Sequence, residues 1–281
     1  MLPVMEALVT LYFVSSVLLL IGAGLLHLIP RLGPGGKSLS AWLCRAPGLD
    51  VLIGYFSVAP MLAGVIVGAQ AFGTFWGAIA GLAAGVLSQV TMLLIWTWAH
   101  EFANRKHLKG PRIVSHINAR VGPVRNHAAV WTTALAVPLF ALVRLAEYIV
   151  YPPLTWLIQL PKYNDAEWVN VSRHKFRGLV GHDLIWCLYC DWMTGVWSFG
   201  TEMLRNVESF WCPIRFDSTK KCENCKVDFP DLDNGWAPAD GDMADAVKAL
   251  DDHYPGPNGE NQWFGHPARL TVNGEPAGSD A

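Results

Sequence analysis

Cysteines provide the strongest chemical signal in this sequence, because five of the six fall within one short stretch. Cys187 and Cys190 form a first C-x2-C pair, Cys222 and Cys225 form a second, and Cys212 lies between the pairs. Two residues between thiolates let both sulfurs reach one metal ion from a single turn, and two such pairs complete a tetrahedral four-sulfur site. The spacing therefore predicts a structural zinc ion held by the two pairs, with Cys212 as a bystander or a substitute ligand.

Three other interpretations of these cysteines stay open at this point. Paired thiolates also suit iron, either in a rubredoxin-like site or in an iron–sulfur cluster. Thiol–disulfide chemistry is a further option, although a reactive cysteine of that kind favours a helix N-terminus. The cysteines can also be small core residues of a Trp-rich helix. Cys44 stands alone in the first connection and is expected to be inert.

The stretch that carries the first pair predicts a long helix. The two pairs are separated by 31 residues, against about 15–20 in a zinc ribbon. Apolar side chains recur every three or four residues from Gly181 to Phe210, which is helical periodicity, and Pro213 ends the pattern. Cys187 and Cys190 then lie on one side of this helix, and its many aromatic side chains suggest contact with the bilayer or a partner protein.

The thiols must be positioned by other parts of the chain, and the composition indicates that these parts include membrane helices. The 281 residues are 52% hydrophobic and 16% charged, whereas soluble domains carry about 25% charged residues. A disordered chain, a basic nucleic-acid binder and most soluble single-domain folds are thereby excluded. Three uncharged or nearly uncharged stretches are each long enough to cross a bilayer: Val4–Ile29, Val51–Phe72 and Thr74–Ala99.

Glycines at helical spacing predict that the second and third stretches pack closely. Gly64 and Gly68 repeat four residues apart on the second, as do Gly77, Gly81 and Gly85 on the third. Small residues allow two helix backbones to approach each other closely, and this packing matters in a bilayer because the hydrophobic effect does not drive helices together there. Only Gly73 separates the stretches, so we expect a tight helical hairpin.

A fourth apolar region allows several topologies. Ala128–Val143 is short, Arg144 and Glu147 follow it, and the apolar segment Tyr148–Leu160 is interrupted by Pro152–Pro153. It can be one span with a buried Arg–Glu pair one turn apart, a span followed by an interfacial helix, or a re-entrant hairpin. The fold class is therefore an α-helical integral membrane protein with about four apolar segments.

Basic residues indicate the orientation. Lys and Arg are concentrated in the first connection and in the third, which the positive-inside rule places in the cytoplasm. Lys162, Arg173, Lys175 and Arg177 favour the same side for the C-terminal region, and unpaired cysteines agree with a reducing compartment. We expect a bacterial inner-membrane location with a cytoplasmic C-terminal region.

The third connection has one family resemblance. The strings FANRKHL and INARVGPVRNH, between Phe102 and His127, resemble the first cytoplasmic loop of the quinone-site membrane subunit of complex I and related hydrogenases. That family has a Glu in the position of Asn104, and its loop follows the first span, whereas this one follows the third. The resemblance implies a quinone or respiratory context. The four histidines from His100 to His127 lie 7, 9 and 11 residues apart, which matches no metal-ligand pattern.

The C-terminal end is acidic, with 13 Asp/Glu against 5 Lys/Arg from Asp217 onward. Its Pro, Gly, Asp and Asn content predicts an irregular tail in which only Met243–His253 has helical character, and no EF-hand spacing is present. The sequence thus divides into a membrane domain (1–160), a Trp- and Cys-rich metal-binding cytoplasmic module (161–226) and an irregular acidic tail (227–281).

Three functions follow as hypotheses. The first is a membrane-anchored, zinc-binding subunit or docking component of a larger membrane complex, with a membrane or soluble protein partner and no nucleic acid. The second is an iron-containing electron-transfer protein linked to a quinone chain. The third is a membrane enzyme with its site at the cytoplasmic bilayer surface around Arg144, Glu147, His174 and His182. Asp183 is expected to cap its own helix or to complement the dipole of that helix, beside His182 as a ligand or proton carrier.

Overall fold

The computed structural model of the protein describes residues 2–211, 237, 241–254, 271–272 and 275–276. Its α-helices are α1 (Leu2–Leu28), α2 (Gly33–Leu43), α3 (Gly48–Ile53), α4 (Ala59–Phe72), α5 (Phe75–Ala103), α6 (Ile113–Val121), α7 (Pro123–Ala134), α8 (Val137–Ile158), α9 (Asp165–Trp168), α10 (Gly181–Trp211) and α11 (Met243–His253). Short 3-10 turns cover Ile29–Arg31, Arg105–His107 and Arg173–Lys175, and a π-helical turn covers Gly54–Val58. Two-residue strands β1 (Thr271–Val272) and β2 (Glu275–Pro276) pair antiparallel.

Within the described part of the chain, four helical segments are long and apolar enough to cross a membrane. They are Met5–Arg31, Gly48–Phe72, Phe75–Ala103 and Pro123–Ile158. The prediction of a largely helical chain with four apolar segments is thereby confirmed. Most of their large apolar side chains are exposed, as lipid-facing residues are, for example Phe13, Ile66 and Leu94.

The hairpin of α4 and α5 packs through its glycines, as predicted. Gly73 ends α4 in the left-handed conformation at φ 63°, and the Thr74 side chain accepts a hydrogen bond from Gly77 N at 3.2 Å to begin α5. Gly64 faces Gly81 so closely that a Cβ on either would overlap the other's carbonyl oxygen. The missing side chains therefore set the distance between these two helices.

The fourth apolar region forms two consecutive helices, α7 and α8, which together make one candidate span of 36 residues. We expected Pro152–Pro153 to interrupt the second segment, and this was wrong, because α8 runs through both prolines. Proline's fixed φ is compatible with a helix, so each ring removes a backbone hydrogen bond without forcing the chain to turn. Arg144 and Glu147 lie one turn apart on α8, and the choice among the three topologies stays a prediction.

The chain separates into two compact units that are discontinuous in sequence. Unit 1 comprises residues 1–142 and 168–196, and unit 2 comprises residues 143–167 and 197–281. In unit 1, Trp192, Val196 and Val169 are essentially fully buried, and Phe199, Leu160 and Asn206 are buried in unit 2. The predicted domain boundaries at residues 160 and 226 stay predictions.

Helix α10 confirms the helix predicted from Gly181 to Phe210, and α11 is the helix expected in the acidic region. Helix α11 begins with a capping box in which the Asp242 side chain accepts from Asp245 N and Asp245 accepts from Asp242 N. Most of the predicted irregular tail lies outside the described residues.

Two glycine-to-alanine substitutions test the role of the hairpin glycines. We expect Gly81→Ala to lower stability by about 1–3 kcal/mol, because its methyl group overlaps the α4 backbone. Gly24→Ala is the matched control, since no atom lies within 4 Å of a Cβ at that position of α1. Thermal unfolding of both variants in detergent should show a lower Tm for Gly81→Ala only. Equal Tm values would contradict close backbone packing.

Candidate functional site

Unit 1 contains a partly open cavity of about 350 Å³, which lies within the usual range for small-molecule sites. Its walls come from α1, α2, α3, the π-helical turn, α5, α10 and the segment around residues 171–174. Most lining side chains are apolar, including Leu26, Leu49, Met92 and Leu188. The few polar lining groups lie among these apolar walls, which is the usual composition of a binding pocket.

The π-helical turn helps to shape one wall of this cavity. Gln89 of α5 donates its Nε2 hydrogen to the Ser57 carbonyl at 2.6 Å, and the Ser57 and Tyr189 hydroxyls lie 2.6 Å apart. These two bonds connect the turn to α5 and to α10, and both Phe56 and Tyr189 line the cavity. Single π turns are rare and occur often at functional sites, because they reorient a side chain within a helix.

Three stacked rings form the most ordered polar feature of the cavity lining. The Trp96 and His100 rings stack with centroids 4.6 Å apart, and the His27 and His100 rings stack at 5.5 Å. The Trp96 indole donates to His27 Nε2 at 3.0 Å, and Gly181 N donates to His100 Nδ1 at 3.0 Å. Each imidazole thus accepts a hydrogen bond from a group that can only act as a donor.

Cys44 and His174 form a second polar pair in the same lining. The Cys44 Sγ lies 3.9 Å from His174 Nε2. Burial raises the pKa of the Cys44 thiol and lowers the pKa of His174. Near neutral pH, the pair is therefore an uncharged thiol beside an uncharged imidazole, which suits an apolar cavity.

A clamp made by Glu101, Arg112 and Asp183 connects the end of α5 to the starts of α6 and α10. The Arg112 guanidinium makes two hydrogen bonds to the Glu101 carboxylate, at 2.7 and 2.5 Å. Asp183 accepts from Ile113 N and Val114 N at 3.1 Å each, so it caps α6. We expected Asp183 to cap its own helix or to complement the dipole of that helix. It lies in the first turn of α10, where it can complement the dipole, and its carboxylate caps the neighbouring helix α6.

The contacts of the clamp lower the pKa of Asp183. Burial acts to raise the pKa of Asp183, but hydrogen bonds from His182 and Val114 N, together with Arg112, outweigh it and hold this pKa below its usual range. Gly181 completes the junction at φ 55°, a backbone conformation that glycine adopts without strain. The beginning of α10 is thereby placed beside His100 and Glu101.

The thiols of the first C-x2-C pair lie on α10, as predicted. Cys187 is half-buried and Cys190 is exposed, and both are free thiols. Arg173 bonds through Nε to Asp191 Oδ1 at 2.7 Å, and its hydrogen bond to Cys187, with the charge of Asp191, raises the pKa of Arg173.

The predicted four-cysteine site extends beyond what the structure describes. Cys212, Cys222 and Cys225 lie outside the described residues. Among the residues that are described, no group of three or more His, Cys, Asp or Glu side chains is arranged to hold a metal ion. The zinc site and its iron alternatives therefore stay predictions.

In unit 2, Arg144 is the centre of a buried polar cluster. Only 3% of Arg144 is exposed, and it bonds to Glu147 at 2.7 Å, Asp165 at 2.8 Å and the Tyr148 hydroxyl at 2.7 Å. Its guanidinium also lies over the Tyr148 ring, 4.1 Å from the centroid. Two carboxylates and an aromatic face thus compensate the buried charge, as a structural ion pair requires.

The other residues of the hypothetical enzyme site have separate surroundings. Unit 1 holds both His174 and His182; His174 is paired with Cys44, and His182 accepts from the Trp186 indole at 3.0 Å. Arg144 and Glu147 belong to unit 2. The residues that sequence reasoning missed are His27, Trp96 and His100. The one available signal was the four-residue spacing of Trp96 and His100, which places both rings on one helix face.

Comparisons of the chain with protein-family models, curated proteins and solved structures give no match. The class of protein therefore rests on the fold alone. Four helices among the described residues are apolar enough to cross a membrane, which is consistent with an integral membrane protein.

A pH series tests the clamp. Since the folded-state pKa of Asp183 is lowered, its carboxylate contributes stability above the unfolded pKa, and this contribution is lost as pH falls through the folded value. We expect Asp183→Asn to cost about 1–3 kcal/mol at pH 7, shown by a lower Tm, and less near pH 3.5. Asp251→Asn, at an exposed position of α11, is the control. A Tm difference that does not change with pH would contradict this role.

Proposed function

We propose that this protein is a membrane subunit that binds a lipophilic small molecule in the cavity of unit 1. The observation that carries the proposal is the combination of about 350 Å³ of space with mostly apolar walls and an ordered cluster of polar rings. Sites of this composition bind small molecules, because the apolar walls supply affinity and the few polar groups set orientation.

The position of the cavity in the chain supports a ligand that comes from the bilayer. Its lining includes the C-terminal parts of two candidate spans, at Ala23–His27 on α1 and Met92–His100 on α5. Positively charged residues follow both segments, at Arg31 and Arg105, and such residues commonly mark the cytoplasmic end of a span. A lipophilic molecule dissolved in the membrane would therefore meet the cavity near the cytoplasmic surface.

Photolabelling tests this proposal on the full chain in nanodiscs. An alkyl diazirine probe should label cavity residues, and mass spectrometry should map the label to the peptides that contain Leu49, Met92 and Leu188. Leu188→Trp fills the cavity and should reduce this labelling several-fold. Leu204→Trp is the matched control, because Leu204 lies on the same helix with 70% of its surface exposed.

Two results would overturn the proposal. One is labelling confined to lipid-facing side chains such as Phe13 and Ile66, with none in the cavity peptides. The other is equal cavity labelling in the wild type and in Leu188→Trp when both variants elute as monodisperse protein.

A second proposal concerns the cysteines, and it is favoured by the free thiols on α10 beside Arg173. Cys187 and Cys190 would hold one structural zinc ion together with Cys222 and Cys225, with Cys212 as a substitute ligand and iron as the alternative metal. The metal would stabilise a docking surface for a protein partner. A cytoplasmic location of these thiols and a bacterial inner membrane belong to the same proposal.

Metal analysis tests the second proposal. We expect the purified, colourless protein to contain about one zinc ion per chain, and the double variant Cys187→Ser/Cys190→Ser to lose it. Cys44→Ser is the matched control and should retain the metal. Red or brown protein with iron would favour electron transfer instead. Metal-free wild-type protein, with all variants folding normally, would contradict both metals.

A further inference from the structure

We propose that the cavity selects a flat ring that carries a carbonyl oxygen, the chemistry of the quinones, and that His27 and His100 donate hydrogen bonds to that oxygen. This inference rests on the proposed function, because it names the class of molecule that the cavity of unit 1 binds. The hydrogen-bond partners of the two imidazoles carry it.

The protonation of His100 follows from its partner. Its Nδ1 accepts from the Gly181 backbone N–H at 3.0 Å, and a backbone N–H can only donate. The Nδ1 atom therefore carries no proton, and the single ring proton is on Nε2. The clamp of Glu101, Arg112 and Asp183 holds Gly181 in place, so this tautomer is built into the fold.

His27 is held in the opposite tautomer by an equivalent contact. Its Nε2 accepts from the Trp96 indole N–H at 3.0 Å, and an indole nitrogen is also only a donor. The ring proton of His27 is consequently on Nδ1. Both residues line the cavity, and each imidazole thus keeps one N–H donor while its acceptor nitrogen is occupied within the protein.

A lining of this kind discriminates between ligands by their oxygen chemistry. A carbonyl oxygen accepts hydrogen bonds and satisfies such donors, whereas a ligand without an acceptor leaves them unpaired when it displaces water. The flat stack of Trp96, His100 and His27 also offers an edge along which a planar ring can align. A ligand that has both a planar ring and a carbonyl oxygen therefore fits the cavity better than a ligand that has only one of them.

Competition binding separates these features. Purified full-length protein in detergent is loaded with a fluorescent alkyl probe, which is then displaced by decyl-benzoquinone, decylbenzene or methyl decanoate. Decylbenzene has the ring without the carbonyl, and methyl decanoate has the carbonyl of a lipid ester without the ring. We expect decyl-benzoquinone to bind about fivefold more tightly than either, the size of one net hydrogen bond or ring contact.

Variants assign the preference to the imidazoles. His27→Phe and His100→Phe keep a flat ring but remove the N–H donor, so the quinone should lose its advantage over decylbenzene by about fivefold. His100→Gln retains an N–H donor and should keep the preference, which guards against a folding effect. His107→Phe is the control, because His107 is exposed and does not line the cavity.

The outcomes distinguish this inference from the proposed function. Equal binding of decyl-benzoquinone and decylbenzene, with cavity photolabelling intact, would overturn the carbonyl preference and leave lipophile binding in place. Methyl decanoate as the tightest ligand would also overturn it, in favour of a lipid ester. Failure of all three to displace the probe would overturn both proposals.

Discussion

The hydrogen bonds of Arg112 with Glu101, and of Asp183 with the start of α6, are the contacts on which the rest of unit 1 depends. They join the end of an apolar helix, α5, to the start of α10, which carries both the cavity wall and the first thiol pair. The same junction places Gly181 N against His100 and so sets the tautomer of that ring. The clamp thus lies beside the contact that decides which nitrogen of His100 accepts a hydrogen bond.

The clamp is effective because its members compensate one another. Arg112 is shared by two carboxylates, and Asp183 is stabilised by two backbone N–H groups that would otherwise lack partners at the start of α6. Unit 2 uses a related solution around Arg144, where two carboxylates and an aromatic ring surround a buried guanidinium. In both places a guanidinium is retained within an apolar chain because two carboxylates lie beside it.

Helix α10 carries both residues that line the cavity and the first pair of cysteines. Residues Leu184, Ile185, Leu188 and Tyr189 of α10 line the cavity, while Cys187 and Cys190 carry the free thiols. At about 100° of rotation per residue, the four lining residues spread over one half of the helix and the two cysteines over the other. A lipophilic ligand site and a metal or docking site are therefore compatible in the same protein.

The apolar spans, the glycine-packed hairpin and helix α10 were predictable from the sequence, because each depends on a periodicity of residue types that local chain geometry imposes. Pro152–Pro153 misled the prediction, since proline lowers helix propensity without excluding a helix that packing supports. The ring cluster was decided only by the tertiary structure. His27 and His100 are 73 positions apart in the chain, and their donors, Trp96 and Gly181, become partners only when α1, α5 and α10 meet. Residue spacing predicts which side chains share a face of one helix, whereas the hydrogen-bond partners of these rings depend on how several helices pack together.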